Sequence, residues 1–150
     1  MKADAKYTTA IHICLYLHFR GEALLSSKEI GVSVNTNPVV IRRITSELRA
    51  AGILGSVAGK QGGFHLTKNV EQISLWEIYL AVSDRELFNK PKVNPECPVS
   101  RNLSQLVNAP FSAAELAMRP VLEKQTIADL YTKLQHVLDS ENQLVSVACK

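Results

Sequence analysis

The chain has 150 residues, of which 46% are hydrophobic and 21% are charged. It is about as long as one domain and has enough apolar material to fill a core, which argues against intrinsic disorder. Seven glycines, six prolines and three cysteines exclude collagen-like, low-complexity and disulfide-scaffold classes, and an odd cysteine count fits a reduced cytoplasm. The longest uncharged stretch near the start, Tyr7 to Phe19, is too short to span a bilayer, so we expect a soluble, cytoplasmic protein.

Positive charge is concentrated in the first half of the chain. Residues 1–68 hold nine Lys or Arg against four Asp or Glu, whereas residues 69–150 hold eight against ten. Such asymmetry is expected when one half meets a polyanion, although an uneven surface without a partner gives the same count. The charge distribution therefore favours a nucleic-acid partner only modestly.

The first part of the chain predicts two helices. From Asp4 to Phe19 apolar residues recur at three-to-four spacing, and Gly21 ends this helix. Ser26 and Glu29 have the spacing of a capping box, in which the serine hydroxyl and the glutamate carboxylate each bond the other residue's backbone N–H. We therefore expect a short second helix to begin after Ser26.

A third helix is predicted from Asn37 to about Ala51. Asn37 is a suitable N-cap, and Pro38 suits the first helical position because its missing N–H would be unpaired there anyway. The residues of its apolar stripe are Val40, Ile41, Ile44 and Leu48. This stripe leaves other side chains directed away from the core, namely Val39, Arg42, Arg43, Ser46 and Arg49.

Two short strands are predicted next, at Ile53–Ala58 and Gly63–Thr67. The Gly59–Gly62 segment between them makes a hairpin with a basic tip that carries Lys60 and Gln61. Three helices followed by a hairpin are the order of a winged helix-turn-helix domain, in which the later helix enters the major groove. The expected fold is mainly α, with a small β-hairpin wing and a C-terminal dimerisation helix.

The second part of the chain begins with another capping-box spacing, at Ser74 and Glu77, and a helix that closes the DNA-binding domain of residues 1–85. Residues 86–98 are rich in proline and lack periodicity, which predicts a flexible loop. Residues 99–150 are expected to hold the dimerisation helix and a C-terminal helix.

The dimerisation helix carries a heptad-like apolar seam that needs a partner helix. The seam residues assigned to the dimer interface are Leu103, Leu106, Val107, Ala114, Met118 and Val121. Pro110 and Pro120 are expected to bend or divide this helix. A short amphipathic helix, Thr126 to Leu138, is predicted to follow, before a polar tail that frays. The side chains expected to be buried in it are Ile127, Leu130, Leu134 and Val137.

Side chains on the second helix, the third helix and the wing tip form the candidate DNA-binding set. Its members are Ser27, Lys28, Thr36, Asn37, Val39, Arg42, Arg43, Ser46, Lys60 and Gln61. Arginine forks reach guanine edges or phosphates, amide side chains can pair with adenine, and residues at a helix start contact phosphate. A solvated helix face is the alternative for an arginine pair alone, but the capped helices and the basic hairpin around it favour DNA.

Several segments also carry a family resemblance. They are Ser27–Ile30, Ile53–Ser56, Gly59–Leu66, Ile73–Ile78, Glu96–Val99 and Thr126–Leu130. In this order and spacing they resemble the Rrf-type bacterial regulators, the family of IscR, NsrR and CymR, over most of the chain. The resemblance implies a homodimeric transcription regulator in which a long C-terminal helix pairs the subunits and two winged domains read a palindromic operator.

Several members of that family hold an iron-sulfur cluster through three cysteines in the loop before the dimerisation helix and at its start. Here that region supplies Cys97 alone, while Cys14 lies on the first helix and Cys149 in the tail. Ligation by thiolates needs more than one sulfur at hand, and no histidine has metal-ligand spacing to a cysteine or to another histidine. We therefore expect no cluster and no other metal.

The favoured interpretation is a repressor that acts by occlusion, and two alternatives stay open. One is a sensor, either of thiol oxidation at Cys97 or of a small effector. At Cys97 a helix N-terminus favours the thiolate and Glu96 opposes it, and a packing role is favoured for this residue. An aromatic effector pocket would use Phe64, Trp76, Tyr79 and Phe111, although core packing is favoured for these as well. The other is a winged-helix protein-interaction module, for which exposed Val39 is mild support. An enzyme is the least favoured class, because no catalytic set, phosphate loop or metal site is present in the sequence.

Overall fold

The computed structural model describes residues 3–83 and 92–148, and it describes side chains within residues 5–83 and 92–142. Its elements are α1 (Ala3–Phe19), α2 (Ser27–Val34), α3 (Pro38–Ala50), β1 (Leu54–Val57), β2 (Gly63–Leu66), a 3-10 turn (Val70–Gln72), α4 (Leu75–Val82), α5 (Pro98–Glu123) and α6 (Ile127–Ala148). The expected fold class, mainly helical with one β-hairpin, is confirmed. Within the described residues, no helix is long and apolar enough to cross a membrane.

The predicted capping box at the start of α2 is confirmed. The Ser26 hydroxyl accepts from the Glu29 N–H at 3.3 Å, and the Ser26 N–H donates to Glu29 Oε2 at 2.8 Å. The hydrogen bonds from the backbone and the hydroxyl of Ser26 lower the pKa of Glu29, because they stabilise its charged form. The start of α2 is thus fixed by a reciprocal pair of bonds.

A tight turn joins α2 to α3. Asn35 ends α2 in the left-handed conformation, with φ of 55°, and the Thr36 N–H donates to the Gly31 carbonyl at 2.9 Å. A Cβ at Gly31 would lie 2.8 Å from the Thr36 carbonyl oxygen, so only glycine lets the turn approach the helix this closely. Asn37 Oδ1 then accepts from the Val39 N–H at 2.8 Å, which confirms Asn37 as the N-cap of α3.

The wing is an antiparallel hairpin in which Leu54 pairs with Leu66 and Val57 with Gly63. Leu25, just before α2, adds a third pairing: it exchanges two backbone hydrogen bonds with Phe64, at 2.9 and 3.2 Å. The backbone approach is so close that a Cβ at Gly63 would lie 2.8 Å from Leu25 atoms. The wing is therefore attached by hydrogen bonds to the segment that leads into α2.

One apolar core joins α1, α2, α3, the wing, α4 and the start of α6. Its fully buried members include Ala10, Ile13, Cys14, Ile30, Ile41, Leu48, Ile53, Ile73, Ile78 and Ile127. Cys14, on the apolar face of α1, is fully buried in this core, and burial raises the pKa of its thiol to about 12. Thr45 was not expected inside, but it is buried because its hydroxyl donates to the Arg42 carbonyl at 3.1 Å.

The start of α4 is bonded to the turn between α5 and α6. The Leu75 N–H donates to the Gln125 carbonyl at 2.8 Å, and the Ile127 N–H donates to the Ile73 carbonyl at 3.0 Å. The Ser74 hydroxyl accepts from the Glu77 N–H at 3.1 Å as predicted. The second hydrogen bond of that capping box, from the Ser74 N–H to the Glu77 carboxylate, was predicted wrongly. The Glu77 carboxylate bonds the Lys68 ammonium instead, because this cation near the wing competes for it.

Helix α5 is continuous, so the expectation that Pro110 and Pro120 divide it is wrong. Both prolines are exposed, and water can hydrate the carbonyls that they leave without an N–H partner. Ahead of α5, the Cys97 N–H donates to the Asn94 carbonyl at 3.2 Å and the Glu96 N–H to Asn94 Oδ1 at 3.1 Å. Residues 86–91 of the predicted loop, and the domain boundary at residue 85, lie outside the described residues.

Helix α6 differs from the prediction in length and in register. It runs to Ala148, about three turns beyond the expected end at Leu138. Ile127 is buried, and Leu130 and Leu134 are half-buried, as expected. Val137, however, is 53% exposed, and Leu138 lies in its place on the inner face beside α1. The prediction for Val137 is wrong because the inner face of α6 follows the four-residue spacing from Leu134 to Leu138, whereas the prediction assumed a three-residue spacing from Leu134 to Val137.

Candidate nucleic-acid interface

The outward face of α3 presents the predicted side chains to solvent. Ile41, Ile44 and Leu48 are buried against the core, which fixes the rotation of the helix about its axis. The side chains on the opposite face, all exposed, are Val39, Arg42, Arg43, Ser46 and Arg49. The structure thus places an arginine pair, a hydroxyl and a 61% exposed valine on one surface. This surface has the shape and the donor groups that a major groove accepts.

Arg42 is tied to the preceding helix. Its Nη1 donates to the Ser27 hydroxyl at 3.2 Å. Ser27 is the first residue of α2, where backbone N–H groups point outward and favour an anion. Arg42 and Ser27, predicted separately as contact residues, are therefore brought together at one helix start.

Arg43 has a different neighbour. Its Nε lies 3.8 Å from Glu47 Oε1, one turn later on α3, and its side chain is 72% exposed. The other carboxylate oxygen of Glu47, Oε2, lies 2.8 Å from the Lys6 ammonium, and the Lys6 side chain is only 10% exposed. Glu47 therefore contacts an outward arginine on its own helix and an inward lysine from α1.

Three more predicted residues line a shallow depression at the α2–α3 turn. Lys28, Thr36 and Asn37 share this depression, whose volume is about 430 Å³, with Gly31 and Pro38. Asn37 Oδ1 accepts from the Val39 N–H as the α3 cap, which uses one of its two lone pairs and fixes the orientation of the side chain. The depression offers Lys28 and the Thr36 side chain beside the arginine surface.

The wing tip presents Lys60 and Gln61, both exposed, as predicted. The turn is tight: Gly59 has φ of 110°, and the Gly62 N–H donates to the Gly59 carbonyl at 3.0 Å. A Cβ at Gly62 would lie 2.0 Å from the Val57 carbonyl oxygen, so this turn requires glycine. The two polar side chains are thus displayed at the end of a short, fixed hairpin.

The candidate DNA-binding set leaves out two charged residues of this region. Arg49 was predicted to face outward but was not included in the set, and it is exposed two turns after Arg42. Glu47 has the i,i+4 spacing from Arg43 that is visible in the sequence, whereas its contact with Lys6, which lies on a different helix, left no local signal.

The remaining candidates lie away from this surface. Cys97 is half-buried and precedes α5, where its side chain makes no capping hydrogen bond. Trp76 and Tyr79 stack at 5.0 Å and are nearly fully buried, so the core packing favoured for them is confirmed. The Tyr79 hydroxyl bonds Glu115 at 2.8 Å and so joins α4 to α5. Phe64 instead pairs with Leu25 in the wing.

The donor set for an iron-sulfur cluster does not come together in the described residues. Cys14 lies inside the core with a raised pKa, which disfavours the thiolate that a metal requires. Across residues 3–83 and 92–148, no three His, Cys, Asp or Glu side chains form a group able to hold a metal ion. Cys149 lies outside the described residues.

The seam of α5 is open to solvent. None of the α5 side chains, all of which are described, is buried. Leu106 and Val121 are 68% and 65% exposed, Ala114 is exposed, and Leu103, Val107 and Met118 are half-buried. A 26-residue helix with so much exposed apolar surface is typical of an interface.

Comparison with known proteins gives consistent results. Residues 3–133 match the Rrf2 family, described as an iron-dependent transcriptional regulator. YwnA of Bacillus subtilis strain 168, named as an HTH-type transcriptional regulator, is 37% identical over 133 residues, which cover 87% of this chain and 98% of YwnA.

Solved structures show the same fold. A transcriptional regulator from Lactobacillus plantarum superposes with a TM-score of 0.71 at 27% identity, covering 92% of this chain and 97% of that one. A protein described as DNA-binding superposes with a TM-score of 0.65 at 36% identity, covering 83% of this chain and 97% of that one.

Proposed function

This chain belongs to the Rrf2 family of transcriptional regulators, and we propose that it acts as a homodimeric, sequence-specific repressor. Its family and its relatives are regulators and not enzymes. The observation that carries the proposal is the exposed Arg42–Arg43 pair on α3, fixed by a buried opposite face and set beside the capped start of α2.

In the proposed complex, α3 enters the major groove, with Arg42 and Arg43 as the main contacts and Val39 and Ser46 beside them. Ser27, Lys28 and Thr36 meet phosphates at the edge of the groove, where the N–H groups of the α2 start add to the lysine charge. Lys60 and Gln61 at the wing tip contact phosphate or the minor groove. Bound at a promoter, such a protein represses by occlusion.

Two copies are proposed to pair through the α5 seam. Leu106 and Val121 expose large apolar side chains to water, and burying them against a second α5 removes that apolar surface from water. A twofold pair of winged domains then matches a palindromic operator, whose half-sites lie about one helical turn apart.

We propose that the regulator works without an iron-sulfur cluster, although its family is described as iron-dependent. The proposal is supported by the single cysteine, Cys97, before α5 and by the burial of Cys14. Protein purified without oxygen is expected to lack the visible absorbance and the iron of a cluster. Iron that is present in a stoichiometric amount and is lost when Cys97 is substituted would contradict the proposal.

The test of the proposed function is binding of purified, reduced protein to DNA from upstream of its own gene at two salt concentrations. Tight binding that resists competitor DNA and weakens with salt is expected. Lys60→Ala is expected to weaken binding evenly across sequences and to lower the slope of log affinity against log salt by about 1. Failure to discriminate this DNA from random DNA would favour the protein-interaction alternative or a missing effector.

Repeating the measurement after mild thiol oxidation tests the sensor alternative. Loss of binding that Cys97→Ser prevents would assign a sensing role to Cys97. Unchanged binding is expected if Cys97 only packs.

A further inference from the structure

We propose that Glu47 is a positioning residue that sets how the Arg43 guanidinium is presented to one base pair, while Lys6 balances the Glu47 charge. The inference rests on the proposed function, because Arg43 must meet DNA for its orientation to matter. It assigns sequence discrimination to a carboxylate that itself needs no contact with the DNA.

The geometry separates the two ends of the Arg43 guanidinium. Glu47 Oε1 lies 3.8 Å from Arg43 Nε, the nitrogen nearest the helix. At this distance the pair is an ionic contact on the Nε side of the guanidinium, opposite its two terminal NH₂ groups. A guanine edge offers two acceptors, O6 and N7, and an arginine reads them with a pair of donors in a fixed plane. A carboxylate beside Nε therefore favours an orientation of the guanidinium in which its two terminal NH₂ groups face the guanine edge as a pair of donors.

Lys6 makes this carboxylate compatible with DNA. A lone carboxylate beside the phosphates would weaken binding, since like charges repel. The Lys6 ammonium lies 2.8 Å from Glu47 Oε2 and is shielded from solvent, so it offsets the negative charge where screening is weak. Because Lys6 comes from α1, it also fixes the Glu47 side chain relative to the core.

Arg42 provides a contrast within the same helix. It is held through Ser27 at the start of α2, where phosphate binding is favoured. The two neighbouring arginines are thus held by different elements and directed to different parts of the DNA. Arg43 is assigned to a base pair and Arg42 to the backbone.

The experiment selects bound duplexes from a library randomised over a central segment and sequences them, using full-length protein. Wild type is compared with Arg43→Ala, Arg42→Ala, Glu47→Gln and the double variant Arg43→Ala with Glu47→Gln. Glu47→Gln keeps the side-chain length and an oxygen for Lys6. The matched control is Glu123→Gln, which removes the same type of Arg–Glu pair, Arg119 with Glu123, from α5.

Arg43→Ala is expected to flatten the preference at one base pair of each half-site by about tenfold or more, as for a lost bidentate contact. Glu47→Gln is expected to weaken the preference at that same base pair by about threefold, in keeping with a solvent-exposed ion pair. In the Arg43→Ala background, Glu47→Gln is expected to leave the remaining base-pair preferences unchanged. Glu123→Gln and Arg42→Ala are expected to keep the preference, with Arg42→Ala lowering affinity for every sequence.

The outcomes separate this inference from the proposed function. No sequence preference in wild type would overturn both. Full preference in Arg43→Ala would overturn the inference and leave the sequence-specific regulator standing. A flattened profile in Arg43→Ala with an unchanged one in Glu47→Gln would overturn the role of Glu47 alone. If Glu47→Gln unfolds, the double variant Lys6→Met with Glu47→Leu removes the buried pair as a unit, which folded proteins tolerate. It must weaken the same base-pair preference, and a wild-type profile would overturn the inference.

Discussion

At the scale of single residues, surroundings separate side chains that look alike in the sequence. Arg42 and Arg43 are adjacent, yet one bonds the Ser27 hydroxyl and the other faces Glu47. Their exposure followed from the apolar stripe of α3 and could be predicted. The i,i+4 spacing of Arg43 and Glu47 is also visible in the sequence. The contacts of Arg42 with Ser27 and of Glu47 with Lys6 could not be predicted, because Ser27 and Lys6 belong to other helices and come near only after the core has formed.

The cysteines lead to the first prediction. Because Cys14 is fully buried and its pKa is raised to about 12, it holds almost no thiolate, the form that reacts with alkylating agents. Iodoacetamide at mildly alkaline pH is expected to modify half-buried Cys97 in the folded protein and to leave Cys14 unmodified. Peptide mass mapping checks this.

The control is the same reaction in denaturing urea, where Cys14 should react as readily as Cys97. Equal labelling of the two in the folded protein would contradict the prediction and would show that the core opens around α1.

At the scale of elements, caps were the most predictable features. Ser26, Asn37 and Ser74 begin their helices as predicted, because a cap needs only residues three positions apart. Helix ends without local signals were less predictable. Residues 127–148 contain no glycine or proline, so nothing ends α6 near Leu138. The polar side chains that follow it directly, Asp139, Ser140 and Glu141, are exposed on the longer helix.

The α2 capping box should depend on pH. Its hydrogen bonds lower the pKa of Glu29 in the folded state, so the stabilisation is fully present above the ordinary glutamate value of about 4.3. It is lost as the pH falls through the lowered folded value. Urea unfolding should therefore show wild type more stable than Glu29→Gln at neutral pH, with the difference shrinking as the pH falls below about 5.

Glu22→Gln serves as the control for a nearby exposed glutamate without a capping role, and its stability relative to wild type should change less over this range. A Glu29→Gln difference that stays constant down to acid pH would assign the effect to shape and not to charge.

The α2–α3 turn should be intolerant of a single methyl group. In Gly31→Ala the new Cβ would lie 2.8 Å from the Thr36 carbonyl oxygen, and backbone cannot yield there without moving α3. We expect a loss of about 1–3 kcal/mol in the free energy of unfolding, as for an overpacked interior, together with weaker DNA binding. Thermal or urea unfolding and a binding titration measure the two effects.

Val32→Ala, at the neighbouring 78% exposed position, is the matched control for stability and should leave the free energy of unfolding close to wild type. Normal stability in Gly31→Ala would mean that the turn is looser than its geometry indicates.

At the scale of the whole molecule, the order of the parts followed from the sequence, but their attachment did not. Three helices, a wing and a long helix could be read from periodicity and turn residues. The Leu75–Gln125 and Ile73–Ile127 hydrogen bonds, which join the α5–α6 turn to the start of α4, link backbone groups about 50 residues apart and leave no local pattern.

The α5 seam carries the last prediction. Leu106→Glu places a charge at a 68% exposed position, so a single chain should fold normally, whereas burying that charge in a pair of α5 helices would be costly. Sedimentation equilibrium is expected to show a dimer for wild type and a monomer for Leu106→Glu, with unchanged helical circular dichroism.

Gln105→Glu adds the same charge one position away, off the seam, and should remain dimeric. Dimers of equal strength in both variants would move the interface away from α5.

Because the α5–α6 turn is bonded to α4, a small change in the tilt of α5 there produces a large displacement at the other end of this helix. With 26 residues, α5 is about 39 Å long, and one end is fastened to the DNA-binding domain. A tilt of about 5° at that fastening displaces the far end by about 3.4 Å, which is the rise of one base pair. In the proposed dimer, a tilt of a few degrees would thus shift one reading helix by about one base-pair step relative to the other.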